Sequence, residues 1–365
     1  MVFKKISLQN FRNYTKAEFE FSPSTTIIVG PNAIGKSNLL DAIYLLSTGK
    51  SNRTDKDIQL VQFGKEVCRI GGKVSEVLRV SKVSDAPEEE TDLEVVFAQS
   101  PTGFFQKKYM VNGVSKRRAD FQGKMSVVEF SPLDIDIVAG QPGSRRKFLD
   151  EVLEQIDIEY RNAHVSYTKA IRQRNALLEQ VQKSGIRNEK LFIYWNELVI
   201  KNGQIVTAKR EEFIEYINNR KKEIFDFTLI YDNSIISEER LLQYKDAEVG
   251  AGVTLVGPHR DEVIIKAVSK ISKSLEEVKY FGSRGQQRLV SLELKLSQIA
   301  IIDEKMENQP LLLLDDVFSE LDSSNIDHVL DLMNIYQTIA TTTHKEFIGK
   351  DSLGQMQMID LTEQK

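Results

Sequence analysis

The hydrophobic positions change period several times along the chain. Residues 2–8 and 17–22 alternate apolar and polar, the period of half-buried strands, and Asn10-Phe11-Arg12-Asn13-Tyr14 is the turn between them. Thr26 to Val29 is a short continuous apolar run, which predicts a buried strand. From Ser37 to Ser47 the apolar residues Leu39, Leu40, Ile43 and Leu46 recur at helical spacing. Strands are predicted again over 67–70, 74–82, 92–98 and 104–111. Asn112-Gly113 is the two-residue turn of a hairpin between Val111 and Val114. The acidic run Asp85 to Glu90 reads as a solvated loop. Val127 to Pro132 closes this strand-rich part.

From Ser144 the pattern turns helical. One short helix is predicted over 144–155. A second begins at Asp157 as its cap and runs to about Val181, where Ser184-Gly185 breaks it. A third runs from about Asn188 to Phe225, with Leu191, Trp195, Leu198, Val199, Ile205, Val206, Phe213 and Ile217 at helical spacing. These helices form a hairpin inserted into an α/β core, which is expected to return with strands at Phe227 to Tyr231 and Val263 to Ile265. An amphipathic helix follows from Ser283 to about Ile302, then the apolar run Leu311 to Leu314, a further helix, and a strand over Gln337 to Thr342.

Composition narrows the function classes. The chain has 365 residues, 41% hydrophobic and 28% charged, with a net charge of −4. There is no global basic signature, so a nucleic-acid site must be a local patch. Lys107, Lys108, Lys116, Arg117, Arg118, Arg145, Arg146, Lys147, Arg172, Arg174, Arg220, Lys221 and Lys222 are the candidates, either as a path for phosphates or as solvated faces. The single cysteine, Cys68, excludes an internal disulfide and fits a reducing compartment. No apolar run approaches the ~18 residues of a membrane span. The N-terminus lacks a signal-peptide core, so a cytoplasmic location is expected.

The chemistry centres on Gly30-Pro31-Asn32-Ala33-Ile34-Gly35-Lys36-Ser37, which fits the phosphate-binding loop G-x-x-x-x-G-K-[ST] between a strand and a helix. Its glycines let successive N–H groups converge on phosphate oxygens. Lys36 is placed for the β- and γ-phosphates of ATP and Ser37 for Mg²⁺. Leu311 to Asp315 reads as a buried parallel strand ending in a carboxylate, the Walker B arrangement, with Asp315 on Mg²⁺ and Asp316 set to orient or deprotonate a water. Arg12, in the turn upstream of the loop, either approaches the nucleotide or is a solvated turn residue.

Ser283-Arg284-Gly285-Gln286-Gln287 taken alone is a capped helix start, with Ser283 as the cap. Shortly before Walker B, its position resembles the signature motif of the ABC ATPases, in which one protomer's signature closes over ATP held by the other. Ser319-Glu320-Leu321-Asp322 then matches the D-loop and His344 the switch histidine. The loop with its upstream Asn10 to Tyr14 resembles the SMC-like branch. Phe130-Ser131-Pro132, Gly143 to Asp150, Leu255-Val256-Gly257-Pro258-His259-Arg260-Asp261, Gly285-Gln286-Gln287-Arg288 and Asp315 to Asp322 resemble the RecF family of bacterial recombination mediators, over essentially the whole chain. Arg284 stands where that family commonly has a smaller or uncharged residue, and Asn52 replaces a frequent histidine.

The resemblance implies an α/β ABC/SMC-type P-loop ATPase head with an attached antiparallel sheet and an inserted helical lobe. Residues 1–143 with 306–365 would form the ATPase lobe, and 144–305 the mostly helical lobe carrying the signature. It implies a slow, DNA-stimulated ATPase that dimerises on ATP, binds single-stranded, gapped or junction DNA, and helps RecR and RecO load RecA in recombinational repair and replication restart. Lys36, Ser283, Asp315, Asp316 and His344 would be catalytic. Arg12, Gly30 through Asn38, Gly285, Gln286 and Asp322 would surround the nucleotide. Two other readings compete. Another SMC-like or OLD-type ATPase often carries a C-terminal nuclease domain, which the residues after His344 are expected not to hold. A transporter ATPase subunit needs a membrane partner and has no place for the Gly257 to Asp261 stretch.

Overall fold

The computed structural model describes all residues except 55, 76–88, 102, 270–271, 320–322, 344–355 and 363–365. They form two compact units, Met1–Leu133 with Gln298–Lys365, and Asp134–Ser297.

The first unit holds two sheets. A parallel sheet has the order Gln357–Asp360, Thr25–Val29, Thr338–Thr342, Leu311–Asp315, Val127–Phe130. Leu311 to Leu314 are at most 4% exposed, as befits a parallel strand covered on both faces. An antiparallel sheet has the order Tyr14–Glu20, Val2–Phe11, Val67–Ser75, Glu90–Gln99, Phe105–Val111, Val114–Lys116. The helix Lys36–Thr48 lies in the core the two sheets share. Leu39, Leu40, Ile43 and Leu46 join Phe3, Ile6 and Phe97 on one side and Leu311, Leu313 and Ile339 on the other. The helix is therefore buried nearly all round, beyond the single apolar face expected of it.

Two features of this unit differ from the pattern-based expectation. The strands expected at 67–70 and 74–82 are one strand, Val67–Ser75, and Gly71-Gly72 does not break it. A Cβ on Gly72 would sit 2.7 Å from Leu46 and 2.9 Å from Phe3, so glycine is where this strand presses against the core. The rest of that expected strand, and the acidic run as far as Glu88, lie outside the described residues. The strand Gln357–Asp360, unforeseen from the sequence, completes the parallel sheet beside Thr25–Val29.

In the second unit the helices of the expected hairpin and the one before it are Pro142–Ile156, Ile158–Ser184 and Glu189–Asn219. Asp157 caps the second by accepting from the Tyr160 N–H at 3.0 Å, and Gly185, in the left-handed conformation, ends it. Asn188 caps the third. That helix stops at Asn219, short of the expected Phe225. The backbone N–H groups of Glu223 and Ile224 donate instead to the buried Glu293 carboxylate, at 3.1 and 2.7 Å. The strands expected to rejoin the α/β core do not. Thr228–Asp232 and Glu262–Val268 pair antiparallel with each other, and with Leu275–Glu277 make a separate three-stranded sheet within this unit. Local periodicity marks a strand but carries no record of which sheet it joins.

Candidate nucleotide site

The loop leaves the fully buried strand Thr25–Val29 at Gly30 and enters the helix at Lys36. Gly35 has φ +125°, and a Cβ there would lie 2.5 Å from Asn13 Nδ2 and 2.8 Å from the Tyr14 hydroxyl. The crowding is functional bracing. Asn13 Nδ2 donates to the Ile34 carbonyl at 2.8 Å, and Tyr14 OH donates to the Gly35 carbonyl at 3.1 Å. Asn38 Nδ2 donates to Asn13 Oδ1, and Arg12 donates to Asn38 Oδ1, both at 2.8 Å. Arg12 also pairs with Asp41, a fully buried carboxylate on the loop helix, at 2.5 Å. The turn expected either to touch nucleotide or to be solvated is a strut beneath the loop.

Lys36 is 8% exposed and donates to the carbonyls of Gly30 and Pro31 at 2.6 and 3.0 Å. Burial pulls its pKa down, and the nearby carboxylates of Asp316 and Asp315 oppose that shift. Ser37 Oγ donates to Asp315 Oδ1 at 2.8 Å. Thr341, on the strand between the loop strand and the Asp315 strand, donates to the same oxygen at 2.9 Å. Arg53 Nη2 meets the other oxygen, Oδ2, at 2.7 Å. Asp316 follows in the left-handed region (φ +53°), its N–H donating to Thr341 Oγ1 at 3.1 Å. A cleft of about 260 Å³ opens here, with Lys36, Ser37, Arg53, Asp315, Asp316 and Thr343 among its lining.

Arg53 and Thr341 escaped the sequence reading. Arg53 closes the polar loop that follows the loop helix, and only the return of that loop over the strand ends brings it to Asp315. His344 and Asp322 lie outside the described residues; Thr343, next to His344, is in the cleft wall. In the second unit, Ser283 and Gln286 cap the helix Arg284–Lys305 reciprocally. Ser283 Oγ accepts from the Gln286 N–H at 3.2 Å, and Gln286 Oε1 accepts from the Ser283 N–H at 2.8 Å. Gly285 is exposed, and a Cβ there would meet Ser283 Oγ in ordinary contact at 3.9 Å.

Several basic candidates serve the interior. Arg145 pairs with Glu262 at 2.7 Å, Arg174 with Glu248 at 2.5 Å, and Lys107 with Asp57 at 2.7 Å. The Gly257 to Asp261 stretch is likewise architectural. Arg210, 3% exposed, binds Asp261 at 3.0 Å, Asp150 at 2.7 Å and the Pro258 carbonyl at 2.7 Å. Tyr167 OH donates to His259 Nδ1 at 2.6 Å, and His259 Nε2–H donates to the Thr254 carbonyl at 3.0 Å. Burial pushes the His259 pKa down to about 4.

The family described as RecF/RecN/SMC N terminal domain matches residues 2–363. The chain belongs to this family. Within it, the DNA replication and repair protein RecF of Exiguobacterium sp. is 34% identical over 97% of this chain and 96% of its own length. RecF of Thermosynechococcus vestitus is 34% identical, covering 99% and 96%. A solved structure of the recombination mediator protein RecF with ATP in the RecFOR pathway superposes with a TM-score of 0.81 at 31% identity, covering 94% of this chain and 92% of that one. The Smc head domain from Pyrococcus yayanosii, 16% identical with a TM-score of 0.53, covers 98% and 94% and shares the fold. The RecF-like chain thus has the SMC-like ABC ATPase head architecture that its motif order implies. Among the described residues no helix is long and apolar enough to cross a membrane.

Proposed function

We propose that this RecF-like chain is an ATP-dependent DNA-binding protein of recombinational repair and an ATPase that releases ADP and phosphate. One observation carries the reading: the Ser37 hydroxyl and the Asp315 carboxylate meet at 2.8 Å beside buried Lys36, at the mouth of a braced loop. The residues fit a magnesium nucleoside triphosphate. The loop's shape depends on the missing Cβ at position 35, and an oxygen pair with an adjacent ammonium is the donor set such a group takes. Among the described residues no three His, Cys, Asp or Glu side chains converge, so Mg²⁺ would draw on Ser37 and Asp315 and fill its shell with phosphate and water oxygens.

When bound, the nucleotide supplies the transferable phosphoryl group and its cation neutralises developing charge. Lys36 holds positive charge at the β- and γ-phosphates. Ser37 donates a hydrogen bond to Asp315, which keeps the hydroxyl lone pairs turned outward. Asp316 holds the attacking water. Ser283 accepts from Gln286, so its own O–H stays available for a phosphate oxygen held by a second protomer. We further propose ATP-driven dimerisation, binding to single-stranded or gapped DNA, and work with RecR and RecO in loading RecA; the relatives' names, a DNA replication and repair protein and a recombination mediator of the RecFOR pathway, support that direction. A cytoplasmic location fits that role.

Mixing two inactive variants tests the composite site. Lys36→Ala spoils the loop and Ser283→Arg spoils the signature. In a mixed dimer both lesions fall in one site and the other is whole. Random pairing makes about half the dimers mixed, so equal amounts should recover up to roughly a quarter of wild-type hydrolysis, if one site suffices for closure and positioning in trans supplies the catalysis. Mixed dimers that form yet stay inactive would rule out an independently active composite site. Wild-type turnover by Lys36→Ala would refute the loop assignment itself.

A further inference from the structure

One face of the first unit carries chemistry that the nucleotide cleft does not use. On the face of the antiparallel sheet turned away from the core, Lys16, Gln9, Arg69, Val96 and Lys108 are successive cross-strand partners. With neighbouring strands about 4.8 Å apart, this row spans roughly 19 Å. Arg69 pairs with Glu94 at 2.9 Å, whereas Lys16 and Lys108, and Lys65 on the turn beyond, are exposed and in no salt bridge among the described residues.

Two aromatic residues stand beside this row, on turns at one end of its strands. Phe63 is 102% exposed and Phe104 77% exposed. Their turns are neighbours, joined where the Gln99 N–H donates to the Glu66 carbonyl at 2.8 Å. The Phe63 turn is itself closed by the Lys65 N–H on the Gln62 carbonyl at 3.0 Å. A protein-docking surface has a contiguous apolar centre inside a polar rim. Here polar residues neighbour the rings along the chain, Gln62 and Lys65 within two residues of Phe63 and Gln106 two residues from Phe104. Planar apolar faces alternating with ammonium groups match the bases and phosphates of an unpaired strand, which stacks on aromatics and tracks positive charge.

We propose that this end of the sheet binds single-stranded nucleic acid, with bases stacked on Phe63 and Phe104 and phosphates met by Lys16, Lys65 and Lys108. The proposal rests on the DNA-binding reading above and assigns it a surface. Unpaired bases can reach these rings, whereas bases stacked inside a duplex cannot, so the surface discriminates strand state.

The test uses the full chain with ATP and Mg²⁺, and fluorescence anisotropy on labelled oligo(dT) and on a blunt duplex of equal length. Phe63→Ala/Phe104→Ala should lose at least ~10-fold in oligo(dT) affinity, given what stacking on an aromatic contributes per base. Its duplex affinity should change less than about 2-fold and its salt dependence should be unaltered, because no phosphate contact is removed. Phe63→Tyr/Phe104→Tyr should bind as wild type. Lys65→Ala/Lys108→Ala should instead flatten the oligo(dT) salt slope by about 1.4, at ~0.7 per phosphate contact. These positions are exposed, and unchanged nucleotide affinity verifies each fold. Wild-type binding by the alanine pair would overturn the proposal, as would equal loss on both DNAs, or a Phe63→Leu/Phe104→Leu pair that binds like tyrosine. A wild-type protein that binds neither DNA would overturn the DNA-binding reading itself, a distinct result.

Discussion

Gly35→Ala probes the coupling between the loop and its brace. At φ +125° a residue with a Cβ is strained by about 1–3 kcal/mol. The new methyl would also lie 2.5 Å from Asn13 Nδ2 and 2.8 Å from the Tyr14 hydroxyl, so both must retreat. Each gives up a hydrogen bond to the loop, at 2.8 and 3.1 Å, worth about 0.5–1.5 kcal/mol. Asn13 is exposed and can rehydrate, which puts its share at the low end. The total is about 3 kcal/mol, or roughly 100-fold in an equilibrium constant. If the loop keeps its shape the loss falls on folding; if it relaxes, the phosphate cradle opens and the loss falls on nucleotide affinity. The sum of the two losses is therefore the quantity to measure. Hydrogen exchange at the amides of Lys36–Thr48 reads the stability of this unit, and titration with a fluorescent ATP analogue reads the affinity. The fluorescence of the single tryptophan, Trp195, follows the other unit and should not move. Adding Asn13→Ala removes one clash and should return about 0.5–1 kcal/mol as a coupling energy. A summed loss below ~1 kcal/mol, or no coupling to Asn13, would sink the bracing argument.

Other outcomes follow from the same geometry. Asp316→Asn should bind ATP with little change yet hydrolyse it at least ~100-fold more slowly in single-turnover measurements, the usual scale for losing a general base. Arg210→Met strands the carboxylates of Asp150 and Asp261 and should destabilise the second unit by about 3–5 kcal/mol in urea unfolding followed by Trp195; a neutral result would mean that the network is not held together by charge. His259 gives a pH signature. Its folded pKa near 4 lies below the ordinary 6.5, so the neutral ring is the folded form, and protonation would set a second N–H against the donating Tyr167 hydroxyl. Its contribution is complete above pH ~6.5 and is lost as the pH falls toward ~4, about 3 kcal/mol over that window. His259→Gln should flatten the stability profile between pH 7 and 5. An unchanged slope would show that another group titrates there.

The candidate site was legible where its local structure is written in adjacent residues. Gly30 to Ser37 needs a strand before it and a helix after it, and both are written in the adjacent residues. Asp315 could be placed because four leucines preceding a carboxylate describe a buried parallel strand. Arg53, Thr341, Asn13 and Tyr14 were not legible as site members, since nothing in their neighbours indicates what the chain folds back upon. The same limit explains the second unit's sheet: Phe227 to Tyr231 and Val263 to Ile265 read correctly as strands, but their pairing is a long-range fact. Basic residues misled most. Arg145 and Arg174 look like surface charge, yet each is buried against a glutamate from a distant segment. Lysine or arginine counts in sequence cannot separate these from Lys108.

The parallel sheet sets an order of events during synthesis. Thr25–Val29, the strand that launches the phosphate loop, is flanked by Thr338–Thr342 and Gln357–Asp360, and the paired Thr25 and Thr338 lie 313 residues apart in the chain. At the usual ~5–20 residues per second, the first partner of that strand emerges roughly 15–60 s after the strand itself. Until then that strand and the helix Lys36–Thr48, which the finished fold buries nearly all round, have no permanent neighbours on one side. A nascent chain lacking residues 338–360 would carry every residue of the loop and still be unable to hold it. Translation arrest or proteolysis upstream of Thr338 should therefore yield a product without nucleotide affinity, and the interval of exposure makes this chain a natural client for holding chaperones.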